Sequence, residues 1–127
     1  EKYENKKIEL NLEKISEINI RPNSIKRCLT NLIDNGLSYG KNLNIITKKT
    51  INSVIVMVDD DGPGIPENEY QNVIKPFYKV DQSRGLNKSG VGLGLSIAND
   101  IVRSHGGNIS LDKSPLKGLR VKISLPV

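Results

Sequence analysis

What this chain has little of narrows what it can be. Aromatic residues make up only 4% of its 127 positions, so Ile, Val and Leu must build the core. The single cysteine, Cys28, rules out an internal disulfide. Lying among Ile25, Leu29 and Leu32, it reads as a buried thiol in a reducing, cytoplasmic setting. The single histidine, His105, excludes a histidine-rich metal site. No apolar run approaches the ~20 residues of a membrane span. The charged start Glu1-Lys2-Tyr3-Glu4 is no signal peptide and reads as the edge of a piece cut from a longer protein. The formal charge is +5, but the Lys and Arg are scattered without interleaved aromatics, so no nucleic-acid surface is expected. The length suits one domain with one core.

Periodicity then orders the chain. Lys7-Ile8-Glu9-Leu10-Asn11-Leu12 alternates as a strand, with a second short one at Glu17-Ile18-Asn19-Ile20. Pro22 suits the first position of a helix whose buried stripe is Ile25, Cys28, Leu29, Leu32 and Ile33. Asn31, Asn35 and Tyr39 follow one another at four-residue steps beside that stripe. Gly36 is expected to interrupt this helix and Gly40 to end it. Residues 43–50 and 53–59 read as two strands joined near Ile51-Asn52, the second leading into Asp59-Asp60-Asp61-Gly62-Pro63-Gly64-Ile65-Pro66. Residues 67–73 suggest a short helix, and 80–90 a polar, mobile loop after Lys75-Pro76-Phe77. Residues 108–114 and 119–125 alternate as a terminal hairpin around Pro115-Leu116-Lys117-Gly118. The simplest packing is a two-layer α/β sandwich, a mixed sheet of about five or six strands on three helices.

The stretch richest in information is Ser89-Gly90-Val91-Gly92-Leu93-Gly94-Leu95, which runs into a helix with Leu93, Ile97 and Ile101 on one face. Gly106-Gly107 stop that helix. A glycine loop opening a helix presents free N–H groups and a positive dipole end, which suits a phosphate. The dinucleotide fingerprint fails, because Leu95 or Ile97 falls where its third glycine belongs. The P-loop fails too, since the only Gly-Lys pair, Gly40-Lys41, is followed by Asn42. Alone, the loop is equally a tight turn, and three adjacent acids more often make a metal site than a base reader.

Taken in order, Asn31-x-x-x-Asn35, Asp60-x-Gly62-x-Gly64, Phe77 and Gly90-x-Gly92-x-Gly94 resemble the N, G1, F and G2 boxes of the nucleotide-binding domain of sensor histidine kinases, in the GHKL superfamily with its Bergerat fold. The resemblance spans about residues 20–125. Ser24-Ile25-Lys26-Arg27, the asparagine pair and Tyr39-Gly40 look most like the EnvZ osmosensor branch.

The resemblance implies a role for each box, with ATP and Mg²⁺ as cofactors. Asn31 and Asn35 are the expected catalytic pair. Asn35 offers Mg²⁺ a hard amide oxygen. Asn31 stands where hydrolytic relatives carry a water-activating Glu, and an amide cannot be a general base. That fits an enzyme that keeps its γ-phosphate from water. Asp60 would accept the exocyclic amine of adenine, with Gly62, Gly64 and Ile65 around the base and Tyr39 against its face. Phe77 would anchor a lid whose Arg84 and Lys88 reach for the triphosphate. Gly90, Val91, Gly92, Leu93, Gly94 and Leu95 would wrap the phosphates. Two departures stand out: Ser38 replaces a common Lys or Arg, and Gly36 a common Ala.

The implied function is transfer of the γ-phosphate to a histidine on a separate dimerisation domain, whose partners are that helical domain and a response regulator, OmpR-like in the osmosensor branch. Membrane contact would come only through absent parts of the parent protein. His105, in Ser104-His105-Gly106-Gly107, reads as structural. Two rivals are a nucleotide-sensing pseudokinase, whose signature would be a damaged box, and an anti-sigma-factor serine kinase of the same superfamily.

Overall fold

The apolar alternation of the chain is realised as a five-stranded sheet, and the computed structural model describes residues 6–12, 19–75 and 91–127. The elements are β1 (Lys7–Leu12), α1 (Pro22–Tyr39), β2 (Asn42–Lys49) and β3 (Ser53–Asp60). A 3₁₀ turn at Glu67–Glu69 runs into the short α2 (Tyr70–Val73); α3 (Val91–Ser104), β4 (Asn108–Lys113) and β5 (Leu119–Pro126) complete the set. The strand order is β1-β2-β3-β5-β4. β1 and β2 are parallel because α1 crosses between them, and every other pairing is antiparallel.

Alternation decides what each strand buries. Val54, Val56 and Val58 of β3 and Leu119, Val121, Ile123 and Leu125 of β5 join one core with Ile25, Cys28 and Leu32 of α1 and Leu95, Ala98 and Val102 of α3. The intervening residues, among them Asn44, Lys48, Asp59 and Lys122, point to the opposite face by the same period of two. At the β1 edge, Ile8, Leu10 and Leu12 are exposed.

α1 and α3 lie side by side and run in opposite directions, since the start of α1 meets the end of α3. The Arg21 guanidinium donates to Ser104 Oγ at 2.6 Å, and the Arg21 N–H donates to His105 Nε2 at 3.0 Å. His105 Nδ1 donates in turn to the Ile101 carbonyl at 2.8 Å. α3 closes with Gly106 at φ +80. Its N–H donates to Arg103 O at 3.0 Å and that of Gly107 to Val102 O at 2.9 Å, a Schellman termination that the glycine pair predicts.

Two expectations are corrected. Of the short strand expected at 17–20, residues 17 and 18 lie outside the described residues, and Asn19 and Ile20 form no strand. Ile20 packs against the core as the lead-in to Arg21, the N-cap of α1, with Pro22 in its first turn. Gly36 does not interrupt α1, which continues to Tyr39. The glycine is where the helix presses on the sheet: a Cβ there would run into Leu43 and lie 3.6 Å from the Asp60 Cβ. The helix accepts about 1 kcal/mol of lost propensity and gains close contact with the strands that carry the acidic loop.

Candidate functional site

Three adjacent carboxylates close β3, and the sheet sends them to three different places. Asp59, 1% exposed, faces away from the helices and receives two hydrogen bonds from Arg120, at 2.7 Å from Nε and 2.9 Å from Nη2. That hydrogen bond, with the charge beside it, holds the Arg120 guanidinium above its ordinary pKa. Asp60, 2% exposed, turns to the helix side, where its Oδ1 accepts the N–H groups of Gly62 at 2.9 Å and Leu119 at 3.1 Å. Asp61 leaves the strand, and its Oδ1 accepts the N–H groups of Lys41 at 2.8 Å and Asn42 at 3.0 Å, while its Oδ2 accepts Asn42 Nδ2 at 2.7 Å. Desolvation pushes the Asp61 carboxyl up, but these bonds outweigh it and hold its pKa below the ordinary value. The acids therefore form no metal cluster, and none of three or more His, Cys, Asp or Glu side chains exists among the described residues.

Asp61 clips the end of α1 to the acidic loop, and Tyr39 lies at that junction. A Cβ on Gly62 would stand 3.0 Å from both the Cβ and the carbonyl oxygen of Tyr39. Gly64, at φ +76, lies against the backbone of Lys117 and Gly118, and Ile65 packs on the core. Tyr39, Asp60, Gly62 and Gly64 thus meet where α1, the end of β3 and the 114–118 turn converge.

One and two turns back along α1 are two side-chain atoms without partners among the described residues. Asn35 Oδ1 and Asn31 Nδ2 are buried and have no hydrogen-bond partner among the described residues. A buried polar atom left unpaired costs about 1–3 kcal/mol, so such atoms call for a function. A hard carbonyl oxygen on Asn35 and a donor on Asn31 fit a divalent cation and an anionic oxygen respectively, the two halves of a Mg²⁺–phosphate group. Ser38 supplies no cation here, and its Oγ donates to the Asp34 carbonyl at 2.8 Å.

The antiparallel packing of α1 and α3 brings the first turn of α3 to the level of this asparagine pair. Cys28 Sγ meets the Ala98 carbonyl at 3.9 Å, six residues from the start of one helix and six from the end of the other. Asn35 therefore lies level with the N-terminus of α3, where free N–H groups and the dipole favour a phosphate. Val91, Gly92, Leu93 and Gly94 occupy that turn. A Cβ on Gly94 would meet nothing within 4 Å among the described residues, so their packing does not demand glycine there. The Leu95 side chain is buried in the core, leaving only its backbone to face a ligand. Phe77, Arg84, Lys88 and Gly90, with the expected lid at 80–89, lie outside the described residues.

Sequence reasoning missed Gly118, Arg120 and the corner role of Asp61. A glycine just before a strand was the one signal for Gly118. Nothing local pairs Arg120 with a residue 61 positions away.

Comparison with known proteins agrees with this geometry. Residues 20–127 match the profile of the family described as histidine kinase-, DNA gyrase B-, and HSP90-like ATPase. The sensor histidine kinase GtrS of Pseudomonas aeruginosa is 41% identical over 106 residues, covering 84% of this chain and 22% of that protein. The chain thus spans about a fifth of the length of this relative. The mycobacterial sensor histidine kinase MprB superposes with a TM-score of 0.87 at 23% identity, covering 98% of this chain and 86% of that one, which bears on the fold. The histidine kinase domain of the E. coli osmosensor EnvZ superposes with a TM-score of 0.69 at 34% identity, over 94% of this chain and 74% of that one. With this profile across most of its length, the chain belongs to the histidine kinase-, DNA gyrase B- and HSP90-like ATPase family, as a catalytic domain of the sensor histidine kinase kind.

Proposed function

We propose that this domain binds ATP with Mg²⁺ and presents the γ-phosphate to a histidine on a separate helical dimerisation domain. The observation that carries the proposal is the pair of buried amide atoms, Asn35 Oδ1 and Asn31 Nδ2, that find no partner among the described residues, level with the N-terminus of α3. When bound, Mg²⁺ would neutralise phosphate charge. The chain's own residues do the rest: Asp60 receives the adenine amine, Tyr39 flanks the base, Asn35 offers the cation its oxygen, Asn31 donates toward phosphate, and the α3 N-terminus cradles the anion. Lacking a carboxylate at position 31, the domain has no base there to activate water, so positioning dominates.

In the parent protein this activity would feed a two-component pathway at the cytoplasmic side of a membrane sensor. The phosphoryl group would pass on to a response regulator, and the EnvZ-like helix sequence favours an osmosensing kinase with an OmpR-type partner. The test is incubation with radiolabelled ATP, alone and with a separately produced phosphoacceptor domain. The domain alone should bind ATP, hydrolyse it very slowly and stay unlabelled. Label should move to the added domain at a rate that rises with its concentration, because the tether no longer supplies an effective concentration. Asn35→Ala should stop transfer and His105→Ala should not. Label on His105, or no transfer to a competent acceptor at any concentration, refutes the proposal.

A further inference from the structure

Resting on the reading of Asp60 as the group that receives the base, we infer that Gly118 and Leu119, at the start of β5, are positioning residues of that carboxylate and determine how strongly the exocyclic amine is read.

Asp60 is the last residue of β3, and a side chain at a strand end is free to turn unless something holds it. Two backbone donors from separate parts of the chain do so. Gly62 N–H comes from its own loop and Leu119 N–H from β5, and both converge on Oδ1. One bond would leave the carboxylate able to swing about it, whereas two from different directions fix its plane. Leu119 N–H is available because the β3–β5 ladder ends one position earlier, at Asp59 opposite Arg120. Its proton goes to a side chain in place of a strand partner. Asp60 is 2% exposed and Leu119 fully buried, so water does not compete for these bonds.

Gly118 supplies the room. A Cβ at this position would run into both the carboxylate and the carbonyl oxygen of Asp60, and would stand 2.7 Å from the Gly62 nitrogen. These are the groups that make up the arrangement, so a side chain at 118 must displace Asp60 or open the Leu119 bond. Gly118 is itself tied down, its carbonyl accepting the Ser114 N–H at 2.9 Å across the turn. A glycine required only for the turn would leave base recognition untouched by a methyl group; this one lies against the reading group.

The experiment measures calorimetric affinities for ATP and for purine riboside triphosphate, which is ATP without the exocyclic amine. It compares the unaltered chain, Gly118→Ala and Asp60→Asn. The unaltered chain should prefer ATP by at least about tenfold, the worth of a charge-assisted hydrogen bond. Gly118→Ala should bring that preference close to unity by weakening ATP alone, with purine riboside triphosphate affinity held within about twofold. An unchanged preference, or equal loss for both ligands, overturns the inference. Asp60→Asn separates the two claims. If it leaves the preference intact, the base-reading role of Asp60 fails. If it abolishes the preference while Gly118→Ala keeps it, only the positioning role fails. Should Gly118→Ala not fold, amide NMR of the unaltered chain decides. The Leu119 N–H resonance should move with ATP and stay near its unliganded position with purine riboside triphosphate, and equal movement with both, or none with either, overturns the inference.

Discussion

Replacing Arg120 by alanine removes both hydrogen bonds that the Asp59 carboxylate receives from it, at 2.7 and 2.9 Å. Asp59 is 1% exposed, whereas the Arg120 side chain keeps 24% of its surface. The variant therefore strands a carboxylate in the sheet. Breaking a buried pair from one side costs about 3–5 kcal/mol, and the partly open arginine side places this pair near 3. For 127 residues the unfolding entropy is about 0.27 kcal/mol/K, so 3 kcal/mol lowers Tm by about 11 °C. Urea unfolding of Arg120→Ala, Asp59→Asn and the double variant forms the cycle. The double variant should recover at least about 2 kcal/mol relative to the sum of the singles. The loss should also hardly change between about 0.05 and 0.5 M salt, because the carboxylate is shielded from counterions. A single-variant loss below about 1 kcal/mol, the value of an exposed pair, or a loss that fades with salt, refutes the argument.

Asp61 carries the acid dependence. Its pKa is lowered in the fold, so its stabilisation is complete above the ordinary carboxylate value of about 3.9 and is lost as pH falls through the lower folded value. Asp61→Asn should flatten that part of a stability-versus-pH curve, and an unchanged acid limb would argue against it. Cys28 is fully buried, and burial lifts its thiol to about 11, so a thiol reagent at pH 8 should label it only at the rate of unfolding; rapid labelling of the folded chain would contradict this. Gly36→Ala should lose about 1–2 kcal/mol, as overpacking against Leu43 exceeds the gain in helix propensity. Adding Leu43→Val should turn the Gly36→Ala change from loss to gain, and denaturant titration of the four chains reads the sign.

Periodicity carries much of this fold on its surface. The stripe from Ile25 to Leu32, the alternation of β5 and the glycine pair after α3 each follow from a single local rule, and each stands where that rule puts it. Gly36 shows where local rules stop. As a helix residue it argues for a break, and only the Leu43 side chain beneath it explains why α1 continues. The acidic triplet is a sharper case. Sequence offers three equivalent carboxylates, and telling them apart takes the alternation of β3 together with donors from Arg120, Leu119 and Asn42, all distant in the chain. The α1 pair was legible as a motif, but that Asn35 Oδ1 and Asn31 Nδ2 lie buried without partners among the described residues depends on packing that no spacing rule contains.

The run Val54-Ile55-Val56-Met57-Val58 is apolar on both faces of its strand, so hydrophobic alternation does little to choose between neighbouring alignments of β3. The acids after it decide only one direction. Slide the strand so that Asp60 and Asp61 take the places of Asp59 and Asp60, and every carboxylate is still supplied; slide it the other way, and Val58 falls opposite Arg120. During folding, then, the wrong alignment resembles the right one almost everywhere along the strand. Arg120 excludes that second slip, because its fork must meet a carboxylate on the face away from the helices while Gly118 admits the neighbouring one on the other. Loss of Arg120 should therefore slow refolding as well as weaken the folded state, with misaligned chains lingering before they correct themselves.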